Sequence, residues 1–401
     1  MTYRYKLSSR PGPISIEDYR TLAKRSLPDG VWSFIEYGAE DLVTLASNRS
    51  AFDRYALRMK VLTGNSADDL SVEVGRQRLS MPIVLAPAGL VGLSHWTGEV
   101  GAARAAEKAG TISILSTTGS YTIEEVAQST RRNHFFQLYP WADPSGGRHD
   151  LTHALMERAR QSGYSALVVT VDVAIHGNRE VERRRGIGQP PILTPARIAS
   201  MALRPAWWGA LLRYQRFTSR TVEPTVGAGA TVGLSHRIMR AELKWDDFSW
   251  IRDHWRGPLF IKGVLDADDA DRAVSLGADG VVVSNHGGRQ LDGAPATLDA
   301  LPVIARRVGD RAEVLLDGGI RRGCDVVKAL CLGAKAVGIG RPYLYGMAAK
   351  GPAGVEHVLA ILREETARVM TLMGIESLDQ LGPHCLLPAH TPVDHQSHTS
   401  C

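Results

Sequence analysis

Short apolar runs and amphipathic stretches alternate along most of this chain of 401 residues. The opening stretch, Ile14 to Ser50, is helical in pattern: Ser15 can cap, Asp18 lies three positions on, and Tyr19, Leu22 and Ala23 share one face. Pro28 begins a second helix that Gly38 ends, and this lead-in is expected to cover one end of a barrel. From Pro82 the alternation becomes regular. Apolar runs at Pro82–Ala86, Ile112–Leu115, Phe135–Leu138, Ala166–Val171, Leu259–Lys262, Gly280–Ser284, Val314–Leu316 and Ala336–Ile339 predict buried strands. Helical patterns separate or follow them at Gly98–Ala109, Ile123–Gln128, Leu151–Gln161, Ala267–Leu276, Leu298–Val308, Cys324–Leu332 and Gly354–Met373. Eight strand–helix units in series are the arithmetic of a closed (β/α)8 TIM barrel, an α/β fold that fills ~250 residues and tolerates insertions. One barrel domain over residues 1–385 is predicted, with a tail beyond it, His-, Thr- and Ser-rich, that reads as flexible filler.

The alternation is interrupted after the fourth strand, from Ala174 to about Arg240. That stretch carries eleven arginines against three acids. Within it Trp207, Leu211 and Tyr214 fall on one helical face and Arg213, Arg216 and Arg220 on the opposite one. Two readings fit this pattern: a segment lying in a membrane interface over residues 196–217, or a helix packed on the barrel or against another subunit. Composition adds exclusions. A net charge of +5 is too small for this length to suggest nucleic-acid binding without a motif. Cys324, Cys331, Cys385 and Cys401 form no CxxC pair and stand among no spaced histidines, so neither a disulfide framework nor a metal site is expected. Met1 to Pro13 lacks the apolar central run of a secretory signal and no stretch supplies about 18 apolar residues, so a cytoplasmic setting is expected by default.

Barrel enzymes carry their chemistry at the C-terminal ends of the strands. The sixth run leads into Ser284-Asn285-His286-Gly287-Gly288-Arg289-Gln290-Leu291-Asp292. A histidine can accept a proton near neutrality, and a guanidinium three residues on can grip a carboxylate, so the pair suits proton abstraction from an anionic substrate. The seventh run ends Asp317-Gly318-Gly319-Ile320-Arg321 and the eighth Gly338-Ile339-Gly340-Arg341. Glycine-rich turns with an arginine at these two exits are where barrels hold a phosphate, which implies a phosphate-bearing cofactor. A NAD-linked alternative is disfavoured, because no GxGxxG follows a first strand.

The nonapeptide, with Pro295-Ala296-Thr297 after it, resembles the active-site signature of the FMN-dependent 2-hydroxy-acid dehydrogenases and oxidases, and the resemblance runs from about Ser15 to Leu381. It implies FMN as cofactor and a 2-hydroxy acid as substrate. His286 matches the proton acceptor, Asp172 the carboxylate supporting it, Tyr139 the phenol on the substrate hydroxyl, and Arg289 and Arg179 the carboxylate clamp. Lys262 matches the lysine beside the flavin. Pro87, Ala88, Gly89, Ser116, Gln137, Thr170 and Ser284 match flavin or ribityl contacts, and Asp317, Gly319, Arg321, Gly340 and Arg341 the ribityl and phosphate contacts. The run from Asp172 through Arg179 to Glu180 is most similar to the mandelate dehydrogenase branch, in which an insertion at this place binds membrane. That implies a peripheral position on the inner face of the cell membrane, a membrane quinone as acceptor and, by family tendency, a tetramer.

Three departures individualise the chain. Phe34 stands where the family has a tyrosine on the substrate carboxylate, a loss of ~1.5–3 kcal/mol if that hydrogen bond is not replaced. Ala88 replaces a threonine beside the flavin. Thr118 stands where glycolate oxidase carries a tryptophan over the substrate side chain, which opens the pocket toward an aryl or long-chain acid. Two rivals follow: a flavin barrel acting on an amine or a peptide-linked group, which Phe34 suggests, and an oxidase using dioxygen.

Overall fold

The structure is a computed structural model describing residues 12–141, 149–185, 194–226 and 243–389. Eight parallel strands form one sheet: β1 (Ile83–Leu85), β2 (Ile114–Ser116), β3 (Phe135–Leu138), β4 (Ala166–Thr170), β5 (Leu259–Val264), β6 (Gly280–Val283), β7 (Glu313–Asp317) and β8 (Ala336–Ile339). β8 pairs with β1, and a single parallel bridge from Leu85 to Ser113, with the Leu85 N–H donating to the Ile112 carbonyl at 3.0 Å, closes the ring. The fold is therefore the predicted barrel, because short runs buried on both faces have nowhere to go but between an inner core and a helical jacket.

Side chains alternate along each strand, so every strand feeds both cores. Leu167, Val169, Leu259, Ile261, Val314 and Leu316 pack outward against the helices. Val84, Ile114, Phe135, Val168, Phe260, Val282, Leu315 and Ala336 form the inner core. Its lower end is plugged by a hairpin, Val72–Val74 with Gln77–Leu79, whose Val74 and Leu79 join that inner cluster. The hairpin was not predicted; its two arms of three residues are too short for alternation to register.

The lead-in consists of helices α1 (Ile16–Ser26), α2 (Asp29–Glu36) and α3 (Val43–Ser50), and α1 carries the expected box of Ser15 and Asp18. It lies over the C-terminal, open end. The last predicted helix is longer than expected. It runs Arg341–Leu372 and is broken at Lys350 and Gly351, where φ is 60° and a Cβ would meet the His95 ring. The tail also starts later than expected: Leu386–Pro388 pairs antiparallel with Tyr55–Leu57, an apolar edge match that the composition of the tail concealed. The three tail histidines lie outside the described residues.

Within the insertion, Pro205–Tyr214 is helical as expected, but its predicted apolar face is turned to the barrel. The Trp207 indole N–H donates to the Leu93 carbonyl at 2.7 Å, and Tyr214 stacks on Trp96 with centroids 4.2 Å apart. The opposite face is not simply solvated either: Arg216 pairs with Glu125 at 3.0 Å and covers the Tyr121 ring. Thr221 pins the segment to the β2 exit, its hydroxyl 2.8 Å from the Tyr121 carbonyl. What remains outward is Leu203 (72% exposed), Leu212 (69%), Ile198 and Phe217. No helix among the described residues is long and apolar enough to cross a membrane.

Candidate active site

Two residues beyond each inner-core side chain, the same alternation brings a second inward ring: Ala86, Ser116, Gln137, Thr170, Lys262, Ser284, Asp317 and Gly338. An apolar layer two residues deeper thus turns, by strand period alone, into a polar floor. The floor is cross-linked. Lys262 Nζ donates to Ser284 Oγ at 2.9 Å and lies 3.2 Å from Asp317, and the Ser284 hydroxyl donates to Asp317 at 2.6 Å. Ser116 donates to Gln137 Oε1 at 3.1 Å. The Gln137 amide nitrogen and the Thr170 hydroxyl are buried without a partner.

Above the floor lies a cavity of about 380 Å³ lined by Ala88, Gly89, Thr118, Tyr139, His286 and Arg289 among others. His286 stands at its edge with φ 57°, a left-handed backbone that its loop imposes. Its Nδ1 is 3.0 Å from Asp172 Oδ1, which fixes the ring and leaves Nε2 as the reactive nitrogen. Burial lowers the His286 pKa against the pull of Asp172, with Lys262 and Arg179 adding to the lowering, so the ring is a neutral proton acceptor at pH 7. Burial alone would raise the Asp172 carboxyl, but His286 and then Lys262 outweigh it, and it is lowered. Burial likewise works against charged Lys262, yet Asp317 and then Asp172 hold its pKa raised. Tyr139 is pushed up to about 12 by burial and by Asp172, and so keeps its phenolic proton.

The loop bearing His286 is held by one backbone bond and by several side chains. The Ala39 N–H donates to the Gly288 carbonyl at 2.8 Å, and a Cβ on Gly38 would stand 2.3 Å from that oxygen. Asn48 and Asn285 exchange two side-chain hydrogen bonds of 2.8 and 2.9 Å. Arg289 donates to the carbonyls of Phe34 (2.6 Å) and Tyr37 (2.9 Å), and its guanidinium lies 5.1 Å from the Phe34 ring. Phe34 therefore acts on the arginine, as a platform and a carbonyl acceptor, in place of the hydroxyl expected there. Arg341, which lines the cavity beside Gly340, also donates to the carbonyls of Ile35, Gly287 and Tyr37, so it staples the lead-in to the His286 loop. Burial, the largest effect, lowers its pKa to about 10.

Two groups escaped the sequence reading. The Asn48–Asn285 pair spans 237 positions, and nothing local marks it. Glu182, in a mixed-charge run that reads as a solvated face, is buried beside Arg289.

Residues 23–388 match the family described as FMN-dependent dehydrogenase. The chain belongs to that family. Its relatives include L-lactate oxidase of Nostoc sp., 40% identical over 92% of this chain and 96% of that protein. (S)-Mandelate dehydrogenase of Pseudomonas putida is 36% identical over 95% and 96%. Among solved structures, a monotopic membrane protein, (S)-mandelate dehydrogenase, superposes with a TM-score of 0.87 at 36% identity, covering 94% of this chain and all of that one. FMN is the cofactor of this family, and the site fits it. The unpartnered Gln137 and Thr170 atoms supply polar contacts, and Gly340, at the N-terminus of a long helix, has open space where a Cβ would stand, as a phosphate requires. Among the described residues no group of histidine, cysteine or acidic side chains could hold a metal.

Proposed function

We propose that this member of the family oxidises an L-2-hydroxy acid with an aryl or long side chain to the 2-keto acid. The observation that carries the reading is the partly buried His286–Asp172 pair, 3.0 Å apart, at the edge of a cavity that Arg179 and Arg289 also line. Arg289 and Arg179 grip the substrate carboxylate, and protonated Tyr139 donates to its hydroxyl oxygen. His286 Nε2 takes the proton the substrate loses, and Asp172 stabilises the imidazolium. Bound FMN would accept the two electrons together with the second hydrogen the substrate loses. Pro87, Ala88, Gly89, Ser116, Gln137, Thr170 and Ser284 would hold it, with Asp317, Gly319, Arg321 and Gly340 toward its phosphate end, and Lys262 would place positive charge beside it. The helix dipole at Gly340 favours that anion, and Arg341, with three of its five N–H groups on carbonyls, would add its charge there.

The aryl preference rests on Thr118, a small side chain in the cavity wall where a tryptophan would fill it. A membrane quinone as acceptor and a peripheral position rest on the outward Leu203 and Leu212 and on the likeness to a monotopic relative. A tetramer is the oligomer proposed, checked by mass in solution. Anaerobic mixing of the yellow holoenzyme with mandelate, lactate and glycolate tests the reaction. The expected result is bleaching fastest with mandelate and slowest with glycolate. Bleaching by none of the three, with flavin bound, would remove the 2-hydroxy acid from the assignment.

A further inference from the structure

Glu182 raises a question of charge. Its side chain is 8% exposed and lines the same cavity, on the helix Glu180–Arg185. Oε1 lies 2.9 Å from Arg289 Nη2, but the N–H does not point along that line, so the oxygen has an ion-pair neighbour without a directed hydrogen bond. Oε2 is 4.0 Å from Arg179 Nη1. An acid that served to aim Arg289 would meet the guanidinium with two parallel N–H bonds. That work is done elsewhere: the Phe34 and Tyr37 carbonyls hold Arg289, and the Arg289 carbonyl and Gln290 side chain hold Arg179 at 3.2 and 3.0 Å.

Two guanidiniums buried side by side repel each other. Burial lowers the Arg179 pKa to about 10, repulsion from Arg289 adds to it, and Glu182 opposes both. Without an acid the cluster would carry two positive charges and would hold any small anion. With Glu182 it carries one, which a single carboxylate neutralises.

We infer that Glu182 is the charge-setting residue of the carboxylate clamp, a fixed counter-ion that limits the Arg289–Arg179 pair to one net positive charge and so favours a monoanionic acid that can be released after oxidation. The inference rests on the reading of Arg289 and Arg179 as the substrate clamp. It assigns a specificity role to a group that touches the arginines and not the reacting atoms.

The test uses full-length holoenzyme and phenylacetate, a monocarboxylate with no hydroxyl to oxidise, with binding read from the perturbed flavin spectrum over a range of ionic strength. In Glu182→Gln, shape is kept and charge is lost, so phenylacetate should bind about tenfold more tightly, with a steeper dependence on salt. Glu182→Asp should bind as wild type does. Arg179→Met should flatten the salt dependence, and the double variant Arg179→Met/Glu182→Gln, again with one net charge, should restore it. Unchanged or weaker binding in Glu182→Gln with the wild-type salt slope would overturn the inference and leave a packing role. If Glu182→Gln does not fold, Arg179→Met decides, since a wild-type slope there also overturns it. Arg289→Met separates the two levels. It should weaken phenylacetate about a hundredfold, and if it does not, the clamp reading itself fails whatever Glu182 does.

Discussion

The His286 loop and the Pro205–Tyr214 helix stand on the same rim of the barrel, and they are fastened by different means. The loop has one fastening between main-chain atoms, the Ala39 N–H on the Gly288 carbonyl, and two arginine hooks, Arg289 on the Phe34 and Tyr37 carbonyls and Arg341 on the Gly287 carbonyl. The helix is hung on side chains, the Trp207 indole, the Tyr214 ring, the Arg216 ion pair and, just beyond, the Thr221 hydroxyl. The Ala39–Gly288 contact survives most substitutions of the residues that make it, while side-chain hooks, Arg289 and Arg341 among them, can be removed one at a time. The loop thus keeps one fastening that tolerates sequence drift, and the outer helix is the more adjustable of the two.

Removing chemistry at the rigid region should have the largest effect. His286→Gln should lower substrate-driven bleaching roughly 10²–10⁴-fold with flavin retained, and near-normal bleaching would remove His286 as the base. In the wild type, the neutral ring is the active form, so kcat/KM should fall as pH drops through the His286 pKa. Because that pKa is lowered, the plateau should extend below the ordinary histidine value of 6.5, and Tyr139 at about 12 should impose no alkaline loss before then. A bell centred on 6.5 or above would contradict the burial argument.

The next effect tests the backbone grip itself. Gly38→Val would drive a side chain into the Gly288 carbonyl, at a cost of about 1–3 kcal/mol in thermal unfolding, and should slow bleaching by displacing the loop. Unchanged bleaching would mean the loop holds its place without the lead-in. Thr118→Trp narrows the cavity wall and should cut the preference for mandelate over glycolate roughly 10–200-fold. A preference unmoved by that bulk would place the substrate side chain elsewhere. The smallest effect on the fold belongs to the adjustable region: Leu203→Ser, Leu212→Ser and Phe217→Ser touch no hook and should alter stability by only about 0.5 kcal/mol each. Together they should release the protein from lipid vesicles in a flotation assay. Retention by vesicles would send the membrane contact to another surface.

What was legible in the chain follows the same division. Strand period carried both the barrel and its polar floor, since Gln137, Thr170, Lys262, Ser284 and Asp317 each stand two residues beyond an inner-core position. The His286 loop was legible because unlike residue types crowd a short glycine-rich exit. The direction of the outer helix was not: an amphipathic pattern states that a face is buried without saying what buries it, and here Trp96 and Leu93 do. Glu182 was hidden because charge in a basic run looks solvated, and burial depends on a loop more than a hundred residues later. Arg341 followed a phosphate pattern, and its added bonds to carbonyls of the lead-in lie outside any local window.

The Asn48–Asn285 pair bears on the order of assembly. Two buried amides are costly apart and satisfied only together, so the lead-in can dock in one register alone. Its partners Asn285, Gly288 and Arg341 emerge from the ribosome more than two hundred residues after it. The lead-in must therefore wait for strands made long after it, and the end of the barrel that does the chemistry is closed by a part of the chain made well before the strands it covers.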